Sequence, residues 1–311
     1  MISRRTLLMQ SCVVPALLCA SKGNPEIGFA NGTYGMKTMA TGDALRTLAE
    51  IGYDGVEVCC IEGWPTDPAK ISESDRKELR KLIGDTGLGV PALLESLPVA
   101  STPEKRAANL ERLRMAVALG NELVSSNPPV IDTILGGTTA DWDKLKGPMV
   151  DILGEWAKVA ESCKTTVCFK PHAAQAVNSP ERALWLIKQV NSPKIRIIYD
   201  YSHFYVEGFP LESSLKELLP YIVFISVKDA VGTPAKHDYL LPGDGKTDYL
   251  EYFRLLKQVR YSGWVGVEVS AMIHTKPGYQ PVPTARICYE RLAPLFAKAG
   301  VKRPKRVTHE G

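Results

Sequence analysis

The chain has 311 residues, 45% hydrophobic and 23% charged, a balance that suits a globular protein with one large α/β barrel or two ordinary domains. Its formal charge is +4, but Arg4, Arg5 and Lys22 supply three of the positive charges and residues 1–23 contain no acid. The remainder carries 35 basic against 34 acidic residues, which excludes an overall electrostatic pull toward nucleic acid.

The first segment, residues 1–23, reads as an export signal. Ser3-Arg4-Arg5-Thr6-Leu7-Leu8 is a twin-arginine-type pattern, and the apolar run after it is too short to span a bilayer as a helix. Small residues at Ala20 and Ser21 suit cleavage there, and a periplasmic or exported location follows. Leu18 before Cys19 argues against lipid attachment at that cysteine. Five of the seven cysteines lie beyond the signal, an odd number with no zinc or disulfide spacing, so they read as small buried hydrophobes.

After the signal one pattern repeats: a short apolar run, a polar turn, a helical segment. Strands are predicted at residues 26–31, 55–60, 89–94, 122–126, 166–171, 195–200, 222–228 and 263–270. The helix before Leu79, Leu82 and Ile83 opens on the capping pattern Ser72-Glu73-Ser74-Asp75. Thr102-Pro103-Glu104 and Ser179-Pro180-Glu181 each place a cap, a first-turn proline and an acid in order. The stripes Leu110, Leu113, Val117 and Leu250, Phe253, Leu256 are helical core faces. Residues 127–139, with paired prolines and paired glycines, read as a loop, and residues 301–311 as a disordered basic tail.

Alternating strands and helices imply parallel pairing and right-handed crossovers. Eight units over residues 24–300 predict a single (β/α)8 TIM barrel with a parallel eight-stranded core. A doubly wound sheet is disfavoured: Gly28-Phe29-Ala30-Asn31-Gly32 has the wrong spacing for a dinucleotide loop, and no phosphate-loop motif occurs.

In such a barrel, chemistry lies past the carboxyl ends of the strands. The residues there are Glu57, Glu95, Lys170 with His172, Asp200 with His203, Ser226 with Lys228 and Asp229, and Glu268 with Ser270. Pairs two apart share a face of a strand, and a buried acid or lysine needs a partner. His237, His274 and His309 fall in loops or the tail and read as solvated.

These residues carry a resemblance to the xylose isomerase-like TIM-barrel family, which includes sugar and sugar-phosphate isomerases and epimerases and relatives such as endonuclease IV. It rests on YDGVEV around Glu57, YDYSHF around Asp200 and His203, VFISVKD around Lys228, PGDGKTDY, and YSGWVGVEVS around Glu268. It spans nearly the whole chain after the signal. The resemblance implies a divalent metal held by a Glu on strand five, an Asp on strand six, a His on strand seven and a Glu on strand eight. That metal polarises a carbonyl while carboxylates move a proton through an enediolate.

Asp200 and Glu268 match two of these ligands, and His203 matches a histidine beside the substrate. Lys170 stands where the strand-five Glu is expected, and Ser226 where the strand-seven His is expected. The formal ligand charge changes from −3 to −1, so no tightly bound ion is expected at the usual place. A site for Mn, Mg, Zn or Co rebuilt with His172 or His203 stays open.

The resulting expectation is a sugar or keto-sugar isomerase or epimerase with a degraded metal site. Lys170 is the electrostatic group, Glu268 the general base or acid and His203 a second proton carrier, while Glu57, Glu95, His172, Ser226 and Lys228 line the substrate. The alternatives are a non-catalytic sugar-binding barrel and a related metal-independent lyase. The expected partner is a small carbohydrate, with no nucleic acid and no membrane span; a homo-oligomer stays open. A nuclease of the endonuclease IV type would need a histidine-rich metal cluster, and this chain has five histidines, few of them at strand ends.

Overall fold

A computed structural model describes residues 25–99 and 102–306. The expected export signal and His309 lie outside the described residues.

Eight strands close into a barrel: β1 (Ile27–Gly32), β2 (Gly55–Cys59), β3 (Ala92–Leu94), β4 (Val130–Thr133), β5 (Val167–Phe169), β6 (Ile195–Asp200), β7 (Ile222–Val227) and β10 (Gly263–Val267). Every pairing around the ring is parallel, and β1 closes it by pairing with both β2 and β10. An antiparallel hairpin, β8 (Asp229–Thr233) and β9 (Lys236–Leu240), rises after β7. The sequence had given no sign of it, because Lys236–Leu240 lacks a clear alternation.

The long helices α1 (Thr41–Ile51), α2 (Glu73–Thr86), α3 (Pro103–Leu123), α4 (Trp142–Ser162) and α5 (Pro180–Val190) turn an apolar stripe toward the strands, as do α7 (Leu211–Leu218), α8 (Tyr249–Gln258) and α10 (Pro281–Lys298). Two short helices, α6 (Tyr201–Val206) and α9 (Ala271–His274), follow β6 and β10 at the mouth. The three caps read from sequence form: Ser72, Thr102 and Ser179 accept from the backbone N–H of Asp75, Lys105 and Arg182 at 3.1, 3.3 and 3.2 Å. No described helix is long and apolar enough to cross a membrane.

The lower barrel interior is filled by Ala92, Cys168, Ile198 and Phe224, packed with Val130 and Trp264. The Trp264 ring lies where Cβ atoms of Gly28, Gly55 and Gly89 would project, so these positions admit only glycine. This apolar plug closes the bottom. Because side chains alternate along a strand, the residue two positions beyond each plug residue also points inward. That rule places Asp132 above Val130, Lys170 above Cys168, Asp200 above Ile198, Ser226 above Phe224 and Glu57 above Gly55. Lys228 and Glu268, two further beyond Ser226 and Gly266, continue the series past the strand ends.

Two expectations are corrected. The fourth strand was expected at 122–126, but Glu122 and Leu123 finish α3, whose buried face runs through Leu113, Val117, Gly120 and Leu123. The strand is Val130–Thr133, inside the stretch read as a loop; Val130 N–H donates to Pro91 O at 3.0 Å and Ile131 N–H to Thr166 O at 2.9 Å. Helical continuity outweighed the β-branched residue Val124, and four residues are too few to show a period. The second correction concerns the basic stretch after residue 300, which is ordered through Arg306. Ile27 N–H donates to Lys302 O at 2.9 Å. Arg303 grips Asp54 through Nε at 2.7 Å and Nη2 at 2.8 Å and reaches Gly52 O at 2.6 Å.

Candidate active site

The mouth of the barrel holds two lysines and four carboxyl groups at the inward positions of β2, β4, β5, β6 and the ends of β7 and β10. Lys170, Lys228, Asp132, Asp200 and Glu57 are each buried, so their charges must be answered within the protein.

Lys228 is fully matched. Its ammonium donates to Asp200 Oδ2, to Glu268 Oε1 at 2.9 Å and toward His203 Nε2 at 3.3 Å. Three acceptors meet three N–H groups. His203 Nε2 is therefore the accepting nitrogen, and the ring proton sits on Nδ1, donated to the Tyr239 oxygen at 2.6 Å. Burial, with His172 and Lys228 nearby, pushes the His203 pKa well below the ordinary value, consistent with a neutral ring. Asp200 is held on its other oxygen by Ser202 N–H at 3.0 Å and Ser202 Oγ at 2.6 Å.

Lys170 is matched differently. It pairs with Glu268 Oε2 and lies 3.2 Å from Asp132 Oδ2. Two partners leave one N–H for a ligand. Burial by itself opposes its charge, but Asp132 and Glu268 outweigh that and raise the lysine above its ordinary value. Glu268 shows the converse: burial would raise it, yet Lys170 and Lys228 hold it well below the usual carboxylate range.

Glu57 and Asp132 face each other beside Lys170. Burial and then Asp132 raise Glu57 well above an ordinary carboxylate. Burial, opposed by Lys170, lifts Asp132 to about 6. Ser226 Oγ and Asn31 Oδ1, both buried, have no protein partner, and Ser226 is in register with Asp200. Buried polar atoms without a protein partner above an apolar plug are free to hydrogen-bond a polar ligand.

The structure brings Lys170, Lys228, Asp200, His203, Glu57 and Glu268 together, with Ser226 in their layer. His172 packs against His203, ring centroids 3.8 Å apart and planes tilted by 37°, and its Nδ1 lies 3.0 Å from Ala173 O; burial lowers its pKa to about 4. Glu95 is not in the cluster. It falls one position out of the inward phase after Leu94, and its Oε2 takes Arg112 Nη2 of α3 at 2.6 Å, with Asp67 beside it. Asp229 binds the loop after β9 instead, accepting from Gly243, Gly245 and Thr247 N–H at 2.7, 3.0 and 3.3 Å. Ser270 caps α9. His274 is half-buried rather than solvated, its ring edge-on to Tyr34 at 4.7 Å.

Two residues escaped the sequence reading. Asp132 was hidden by the misplaced fourth strand; the plain signal was Val-Ile-Asp-Thr, an acid in a β-branched run. Tyr239 rides on the unforeseen hairpin and has no local signature.

The divalent ion implied by the resemblance does not fit this donor set. Asp200 Oδ2 and Glu268 Oε1, which would bracket the ion, share Lys228, and Glu268 Oε2 is taken by Lys170. Of the two remaining ligand positions, one is an ammonium and the other a lone hydroxyl. Among the described residues no group of three or more His, Cys, Asp or Glu is placed to hold a metal.

Comparison with known proteins agrees with this fold. Fructoselysine 3-epimerase of Shigella flexneri is 22% identical over 263 residues, 79% of this chain and 91% of that protein. Inosose isomerase of Bacillus subtilis is 29% identical over 134 residues, 41% of this chain and 48% of that protein, so that match spans about half its length. A solved structure of the IOLI protein, which has a binding zinc atom, superposes with a TM-score of 0.72 at 18% identity, covering 87% of this chain and 100% of the other. These relatives include sugar epimerases and isomerases. The profile of the xylose isomerase-like TIM barrel matches residues 45–286, most of the barrel, and the chain belongs to that family.

Proposed function

We propose that this barrel is an isomerase or epimerase of a sugar, keto-sugar or cyclitol that moves a proton through an enediolate without a divalent metal. The observation that carries this reading is Lys170: a buried ammonium, held charged between Asp132 and Glu268, with one N–H left over. A carbonyl oxygen accepting that N–H gains negative charge as the neighbouring C–H breaks, and the fixed ammonium stabilises it most when the charge is fullest. The protein thus supplies through a lysine the charge that a metal supplies elsewhere in the family.

Lys228 has a different part. All its donors are matched, so it holds Asp200, Glu268 and His203 in place. His203 supports Lys228 with one ring nitrogen and contacts Tyr239 with the other, which makes it a positioning residue in this arrangement. A lyase of the dehydratase kind begins with the same proton abstraction and shares this site.

The test is exchange of substrate C–H into D2O, followed by proton NMR over a panel of ketoses, aldoses and inososes, before and after exhaustive EDTA treatment. Exchange that survives EDTA and falls at least a hundredfold in Lys170→Met is expected. Exchange that vanishes with EDTA and returns with Mn²⁺, or that persists in Lys170→Met, refutes it. The saturation of Lys228 inside the protein favours one other reading, a sugar-binding barrel. Saturable binding with no exchange from any bound sugar identifies that case.

A further inference from the structure

Glu57 and Asp132 are the two carboxyl groups of the mouth that the lysines do not saturate. Both are buried, at 2% and 0% exposure. With both ionised, Glu57 Oε1 and Asp132 Oδ1 would lack a hydrogen-bond donor and Asp132 Oδ2 would have only its ion pair with Lys170, a costly state in a protein interior. One proton held between the two groups resolves it. Glu57 keeps the proton and donates to Asp132, while Asp132 keeps its charge beside Lys170. The other titratable groups facing Asp132 are Glu268 across Lys170 and the Cys168 thiol below.

This separates the carboxylates of the site by basicity. Glu268 is bound by two ammonium groups and is a weak base. Asp132 meets one ammonium at 3.2 Å and a neutral carboxyl. A base works best when its affinity for the proton is close to the working pH, and Asp132, lifted to about 6, comes near that condition.

We propose that Asp132 is the general base of this barrel, with Glu57 as its proton-sharing partner, acting on an α-hydroxy ketone whose carbonyl oxygen sits on Lys170. This rests on the isomerase reading above. One Asp132 oxygen takes the hydrogen from the carbon beside the carbonyl. The C–H electron pair becomes the new C=C bond, and the carbonyl π pair moves onto the oxygen that Lys170 holds. Return of the proton to that carbon regenerates the ketone. Delivery to the former carbonyl carbon, with the hydroxyl proton passing to the former carbonyl oxygen, completes isomerisation.

Two measurements test this together. In D2O exchange, Asp132→Asn is expected to lose between about a hundredfold and ten-thousandfold in rate while retaining substrate-induced thermal stabilisation. The wild-type kcat/KM is expected to rise with pH through about 6 as Asp132 gives up its proton. Asp132→Glu, which keeps a carboxylate, recovers part of the exchange and guards against a folding failure in the asparagine variant. In infrared spectra at neutral pH, the wild type should show the C=O stretch of a protonated carboxyl, absent from Glu57→Gln.

Wild-type exchange in Asp132→Asn overturns the base assignment and leaves the isomerase reading standing. A missing infrared band overturns the shared proton. If the wild type exchanges no substrate, the isomerase reading fails and the base assignment fails with it.

Discussion

A lysine ammonium has three donors, and counting them divides the work of the site. Lys228 meets three acceptors and Lys170 two, so only Lys170 has a donor for a ligand. The third acceptor of Lys228 depends on the tautomer of His203, and that tautomer depends on Tyr239. Tyr239→Phe leaves the Nδ1–H of a buried imidazole without an acceptor. The expected loss is about 1–3 kcal/mol of stability, read as a lower midpoint in chemical denaturation. Because the ring can then turn its proton toward Lys228, kcat should fall more than KM rises. A Tyr239→Phe variant with unchanged midpoint and unchanged kcat refutes the link.

At the scale of elements, the barrel depends on what fills its lower half. Trp264 on β10 lies across Gly28 of β1, Gly55 of β2 and Gly89, the bridge partner of Gly55. A methyl group at Gly55 would stand 2.7 Å from Gly89 O and inside the Trp264 ring. Gly55→Ala is expected to cost about 1–3 kcal/mol by overpacking. Gly55→Ala with Trp264→Leu should recover part of that cost, because the two positions share one space. Additive losses in the double-mutant cycle would show that the ring is not what excludes the methyl group. The same plug sets the phase of every strand above it. Each polar residue at the mouth is inward because a small or apolar residue two positions earlier is inward. Glu95, one residue out of phase, turns to Arg112 on α3 instead.

At the scale of the whole molecule, the family's barrel is retained, and Lys170 and Ser226 stand where the resemblance implies a Glu and a His. The pair Lys170→Glu and Ser226→His restores the residue types that the family resemblance places on strands five and seven. In that variant the strand-five ammonium is gone and four ligand side chains surround the axis. Elemental analysis is expected to find about one divalent ion per chain in the variant and substoichiometric metal in the wild type. One tightly held ion in the wild type would overturn the lysine-centred account. Much of this was legible in one dimension. Burial patterns of period 2 and 3.6 are local, so seven of the eight barrel strands and three helix caps could be read directly. The carboxyl-end rule then put Lys170, Asp200, Glu268, Glu57, His203 and Lys228 in one place before any distance was known. Strand four was lost because it is four residues long, too short for periodicity to register, and Asp132 was lost with it. Which oxygen meets which ammonium, which nitrogen of His203 faces Lys228 and which faces Tyr239, and that Asp132 lies beside Lys170 were decided by tertiary structure alone. Those facts join residues 25 to 98 positions apart, and only the closed barrel brings such groups within hydrogen-bond reach away from water.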